Sequence, residues 1–94
     1  MLGGFGDAKP ADNDVKSLVA KVKAEAEGKL GKNFSVFEAV SYSSQVVNGT
    51  NYVVKVKVGD NEYVHLTIYE ALPCNGGKVQ LNEAVGGKSL ADPL

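Results

Sequence analysis

Residues 45–49 read Gln45-Val46-Val47-Asn48-Gly49 and lie between two segments that both carry the pattern of β-strands. Asn-Gly between alternating apolar residues is a strong hairpin signal, because both residues tolerate the positive φ that a tight, twist-matched turn requires. The apolar content of this turn is unusual. A tip that faces water is normally polar, yet Val46 and Val47 put two β-branched side chains at or beside it. Valines placed there add nothing to folding, so they point to a surface that another molecule covers.

Working outward, residues 34–46 are rich in β-branched, aromatic and hydroxyl side chains. Phe34, Val36, Val40 and Tyr42 share one parity, and the stretch reads as one long strand. After the turn, Tyr52, Val54, Val56 and Val58 alternate with Asn51, Val53, Lys55 and Lys57, which predicts a valine face turned inward and lysines in solvent. Gly59-Asp60-Asn61 is a second turn, and residues 63–70 form a third strand with Val64, Leu66 and Ile68 opposed to Tyr63, His65, Thr67 and Tyr69. Leu72-Pro73-Cys74-Asn75-Gly76-Gly77 is the next connection, followed by a short strand over residues 79–84. Alternate turns of an antiparallel meander project from the same end. The turn at 47–49 and the connection at 72–77 are therefore expected side by side, with Leu72 and Pro73 next to Val46 and Val47.

Upstream of the strands, Val15, Leu18, Val19, Val22, Ala26 and Leu30 recur at the spacing of one helical face, which predicts an amphipathic helix over residues 12–30. Asp12, Asn13 and Asp14 supply capping oxygens and negative charge at its start, and Gly31 suits a left-handed cap at its end. A single apolar stripe with no second helix to meet must be buried on the sheet. Residues 1–11 hold three glycines and one proline, with Leu2 and Phe5 as their large apolar side chains, and read as an unpaired trunk. The tail from residue 86 to 94 reads as loosely held. The fold class is thus α+β, one domain over residues 1–94, with one helix packed on an antiparallel sheet.

The composition removes several functions. A chain of 94 residues with 44% hydrophobic and 22% charged residues is an ordinary globular domain, and it has no apolar run near the ~18 residues of a membrane span. Ten basic against eleven acidic residues leave a net charge of −1, so no field draws nucleic acid or an anionic membrane. One cysteine, Cys74, and one histidine, His65, make no intrachain disulfide and no metal site, and no cofactor is expected. The absence of a charged start and continuous apolar core in the first residues predicts a cytoplasmic protein, with unconventional export left open. His65 falls mid-strand and is assigned no role, while Cys74 has no base nearby beyond Lys78 and reads as an incidental thiol. No glycine pattern forms a phosphate cradle. What remains is a binder that displays apolar groups on two neighbouring loops.

These residues resemble the cystatins, inhibitors of papain-like cysteine proteases such as the cathepsins: residues 45–49 fit the Gln-x-Val-x-Gly motif of that family. The similarity to the stefin branch extends through Gly3-Gly4, Ala8-Lys9-Pro10-Ala11, residues 45–52, Lys55-Val56-Lys57-Val58-Gly59-Asp60, Val64-His65-Leu66 and Leu72-Pro73. The resemblance implies one helix wrapped by a curved antiparallel sheet of about five strands. It also implies a three-part wedge that enters a protease cleft: Leu2 with Gly3 or Gly4 as trunk, Gln45, Val46, Val47, Asn48 and Gly49 as first loop, Leu72 and Pro73 as second. Gly3 is taken as the register of the trunk. Inhibition would then be reversible, tight and competitive, by a protein active as a monomer. The exposed β-branched turn also predicts a liability to domain-swapped dimers. The competing reading is a non-inhibitory interaction module on the same fold.

Overall fold

The computed structural model describes residues 8–47, 49–72 and 76–94, with Val47 described by its backbone alone. In chain order the elements are β1 (Lys9–Pro10), α1 (Asn13–Lys21), α2 (Lys23–Leu30), β2 (Glu38–Val47), β3 (Gly49–Gly59), β4 (Glu62–Glu70) and β5 (Val79–Lys88). The strands form one antiparallel sheet in the order β1-β2-β3-β4-β5. The two helical segments pack on one face of it, so the α+β class expected from the sequence is the class observed.

The expected helix is present with one interruption. Asp12 caps it, its Oδ1 accepting from the Val15 N–H at 2.9 Å, and Gly31 ends it at φ 68°. At Val22 the backbone leaves helical geometry (φ −104°, ψ 7°), dividing the predicted 12–30 run into α1 and α2. Val15, Leu18, Val19, Val22 and Ala26 are nevertheless all buried. The break leaves the stripe continuous, with α1 lying nearest β2 and α2 nearest β5. The opposing face of the sheet supplies Val54, Val56, Val64, Leu66, Ile68 and Leu81, and together these residues make the core.

Strand β2 starts later than its composition suggests. The Phe34 N–H donates to Glu27 Oε2 at 2.8 Å, and the Phe34 and Phe37 rings stack at 5.7 Å, so this segment links helix to sheet instead of pairing. A β-bulge then places Ala39 opposite Val56 and Ser41 opposite Lys55, which leaves Val40 as an extra residue. That shift breaks the parity read for Val40 and Tyr42, and it buries Ala39 in the core.

Three further expectations are corrected. Lys9 and Pro10, read as part of an unpaired trunk, pair with Tyr42 and Ser41, and the Ala11 N–H donates to the Val40 carbonyl at 3.0 Å. Strand β5 continues to Lys88, past the expected end at residue 84, by means of two register shifts against β4. The third concerns Lys55, which was placed in solvent and is instead 3% exposed. The C-terminal segment returns across the outer face of the sheet, and the Lys55 ammonium donates to the carbonyl oxygens of Ser89 at 3.0 Å, Leu90 at 2.5 Å and Asp92 at 2.5 Å. The Asp92 carboxylate accepts from the Ser89 N–H at 2.8 Å and tightens the same turn. The tail is therefore tied to a central strand, because three carbonyl dipoles satisfy a cation that burial would otherwise penalise.

His65 lies beside Lys55 on this covered face, and its Nε2 is buried without a hydrogen-bond partner among the described residues. Burial lowers its pKa first, and the Lys55 and Lys88 charges lower it further against an opposing contribution from Asp92. The folded chain then binds this proton less readily than the unfolded chain, so stability is fully present above the ordinary histidine value of 6.5 and falls below it. Thermal melts of the protein from pH 7.5 downward should show a decline in Tm through this region, and the decline should be smaller in His65→Gln. Gly28 lies inside α2 with open space where a Cβ would be. Gly28→Ala should therefore raise stability by about 0.5–1 kcal/mol in urea unfolding.

Candidate functional site

Antiparallel pairing runs to the end of the β2–β3 hairpin, where Val46 faces Thr50 and Val47 faces Gly49. Asn48, at the tip, lies outside the described residues. Val46 is 81% exposed, so the valine beside the tip does stand in water. Gln45 is half-buried, and its Oε1 accepts from Asn51 Nδ2 at 3.4 Å across the hairpin. The motif glutamine thus braces the two strands against each other one residue pair below Val46.

Gly49 is buried with φ +117°. A Cβ added there would sit 2.5 Å from Tyr69 Oη, 2.8 Å from Tyr69 Cε1 and 2.7 Å from the Glu70 carbonyl oxygen. Glycine is required from inside the protein, by the backbone angle and by the ring and carbonyl of β4 that press against it. The positive φ is what the Asn-Gly turn led one to expect, and the packing of Tyr69 and the Glu70 carbonyl adds a second reason for glycine.

The second connection closes at its base. The Ala71 N–H donates to the Lys78 carbonyl at 2.8 Å and the Gly77 N–H to the Leu72 carbonyl at 3.1 Å. Leu72 is 38% exposed, while Pro73 and Cys74 lie outside the described residues. Because Thr50 pairs with Glu70 and Glu70 with Val79, the root of this connection stands beside the hairpin tip, as the meander argument required. Val46 and Leu72 therefore share one end of the sheet. Leu2, Gly3 and Gly4 fall outside the described residues.

Behind the hairpin, Tyr42 Oη donates to Asp12 Oδ2 at 3.3 Å, and the Tyr42 and Tyr52 rings lie 6.2 Å apart. Burial raises the pKa of both phenols, followed by the Asp12 charge for Tyr42 and the Glu70 charge for Tyr52. These groups join the start of the helix to β2 and β3 and stiffen the stem below the tip. A concavity of about 440 Å³, floored by Leu30, Phe34, Val58 and Val64, opens at the opposite end of the sheet. Among the described residues no group of three or more His, Cys, Asp or Glu could hold a metal ion. No described helix is long and apolar enough to cross a membrane.

Asn51 and Tyr69 are the site residues that the sequence reading did not find. Counting register outward from Asn48 puts Asn51 opposite Gln45, so that contact had a signal. The packing of Tyr69 on Gly49 had none, since it depends on how the ring leans along the sheet.

The chain matches the family model described as Cystatin domain over residues 3–90. It is similar to Cystatin-B of Oplegnathus fasciatus, 44% identical over 94 residues that span 100% of this chain and 94% of that protein. Stefin-C of Bos taurus is 39% identical over 93 residues, 99% of this chain and 92% of that protein. Leukocyte cysteine proteinase inhibitor 1 of Sus scrofa is 44% identical over 73 residues, 78% of this chain and 71% of that protein. With a hairpin motif, a helix-on-sheet fold and relatives of matching extent all in agreement, the chain belongs to the cystatin family, in its stefin branch.

Proposed function

We propose that this protein is a reversible, tight-binding, competitive inhibitor of papain-like cysteine proteases of the cathepsin type. It is not an enzyme: its relatives are cystatins, one of them named as a cysteine proteinase inhibitor. The observation that carries the proposal is the exposure of Val46 beside the tip of a braced hairpin, with Leu72 displayed on the connection next to it. Apolar groups held in water on a rigid edge are suited to an apolar cleft, and a preformed edge loses little conformational entropy on docking.

In this reading the first loop, Gln45, Val46, Val47, Asn48 and Gly49, enters the cleft as the middle of a wedge. Leu72 and Pro73 fill the wall on one side, and Leu2 with Gly3, or Gly4, reaches a substrate pocket on the other. No peptide bond of the inhibitor is placed against the protease thiolate, so binding blocks substrate without being consumed. The active form is the monomer, because opening the hairpin into one continuous strand between two copies would spend the first loop. A cytoplasmic setting belongs to the same proposal, since a chain with one cysteine folds without an internal disulfide.

Titration of papain or a cathepsin with the purified protein tests the reading, and no inhibition at micromolar concentration would end it. Val46→Asp should weaken inhibition by about a hundredfold or more, because it places an unpaired charge against an apolar wall. Its Tm should match that of the parent, since residue 46 is 81% exposed in the free protein.

A further inference from the structure

We infer that Tyr69 is a positioning residue of the inhibitory edge: its ring sets the seat of the first hairpin tip and fixes that tip relative to the second loop. This rests on the inhibitory reading above. The ring belongs to β4, between Ile68, which is fully buried in the core, and Glu70, whose carbonyl also presses on Gly49. It faces the first loop directly, since Oη and Cε1 fill the space where a side chain at residue 49 would be.

Tyr69 is placed to serve both loops. Across the sheet it pairs with Asn51 on one side and Gln80 on the other. Asn51 in turn donates to Gln45, so a row of side chains on one face runs from the motif glutamine to the strand that follows the second connection. Along the chain, Tyr69 is three residues before Leu72, which is exposed at the root of that connection. One rigid strand therefore carries both the support under the first loop and the start of the second. Val46 is 81% exposed beside the tip, so a small shift in the seat of Gly49 would tilt it away from Leu72. A wedge must present both groups in one geometry, and misplacement by about 1 Å is enough to lose much of the affinity that preorganisation provides.

The test compares three variants by inhibition of papain and by backbone 15N relaxation. Tyr69→Ala should raise the inhibition constant by about tenfold or more and increase the motion of the Gly49, Thr50 and Asn51 amides. Tyr69→Phe keeps the ring and Cε1 but loses Oη, so its inhibition constant should lie between those of the parent and Tyr69→Ala. Val54→Ala removes volume from the fully buried core and should lower Tm while leaving the inhibition constant within about threefold. Should Tyr69→Ala not fold, Tyr69→Leu replaces it, retaining apolar bulk but lacking the far edge of the ring that meets Gly49. The inference is overturned if Tyr69→Ala, or Tyr69→Leu in its place, inhibits like the parent, or if Val54→Ala weakens inhibition as much as that variant does. Failure of the parent protein itself to inhibit would instead refute the inhibitory reading, and the relaxation of the hairpin amides would still decide whether Tyr69 seats the tip.

Discussion

The helical stripe of Val15, Leu18, Val19, Val22 and Ala26 can leave water only by lying on the sheet face formed by Val54, Val56, Leu66 and Ile68. Each valine, leucine or isoleucine among them contributes about 1.5–3 kcal/mol when fully buried. A strand that slipped by one residue would turn its whole buried set outward, so this packing holds the register of β3 and β4. Their register in turn decides which residues reach the ends of the sheet. Val46 is beside the tip and Gly49 under Tyr69 because Val54 and Val56 are beneath the helix.

Much of the fold was legible because it rests on periodic patterns. The alternation around Val54 and Val56, the 3.6-residue spacing from Val15 to Leu30 and the Asn48-Gly49 turn each predict an element from local physics. What was not legible depends on contacts between distant residues. Nothing local announces that Val40 is the extra residue of a bulge, that Val22 interrupts the helix, or that Pro10 adds a strand to the edge beside Ser41. Lys55 is the sharpest case. Its alternation with valines is that of a solvent-facing lysine, and it is buried only because residues 89–92 return over it.

The candidate site shows the same division. That Val46 and Leu72 occupy one end follows from strand order, which the sequence patterns supply. Gln45 and Gly49 are different, because each belongs to a recognisable motif yet has a second task within the free protein. Gln45 bonds to Asn51, and Gly49 makes room for Tyr69 and the Glu70 carbonyl. A motif can thus combine residues that meet a partner with residues that hold the others in place, and composition alone does not separate the two.

The register shifts of β5 carry a consequence for the sheet as a surface. An open sheet has unpaired peptide groups along its outer strands, and a long flat border of that kind invites further strands from other molecules. Here β5 is displaced against β4 between Thr67 and Ile68 and again between Tyr63 and His65, with Gly87 in a left-handed conformation at φ 70°. Bulges bend and twist a strand out of the plane that an incoming neighbour would need. The strand that completes the sheet is also shaped to end it, so an incoming strand finds no flat border along β5.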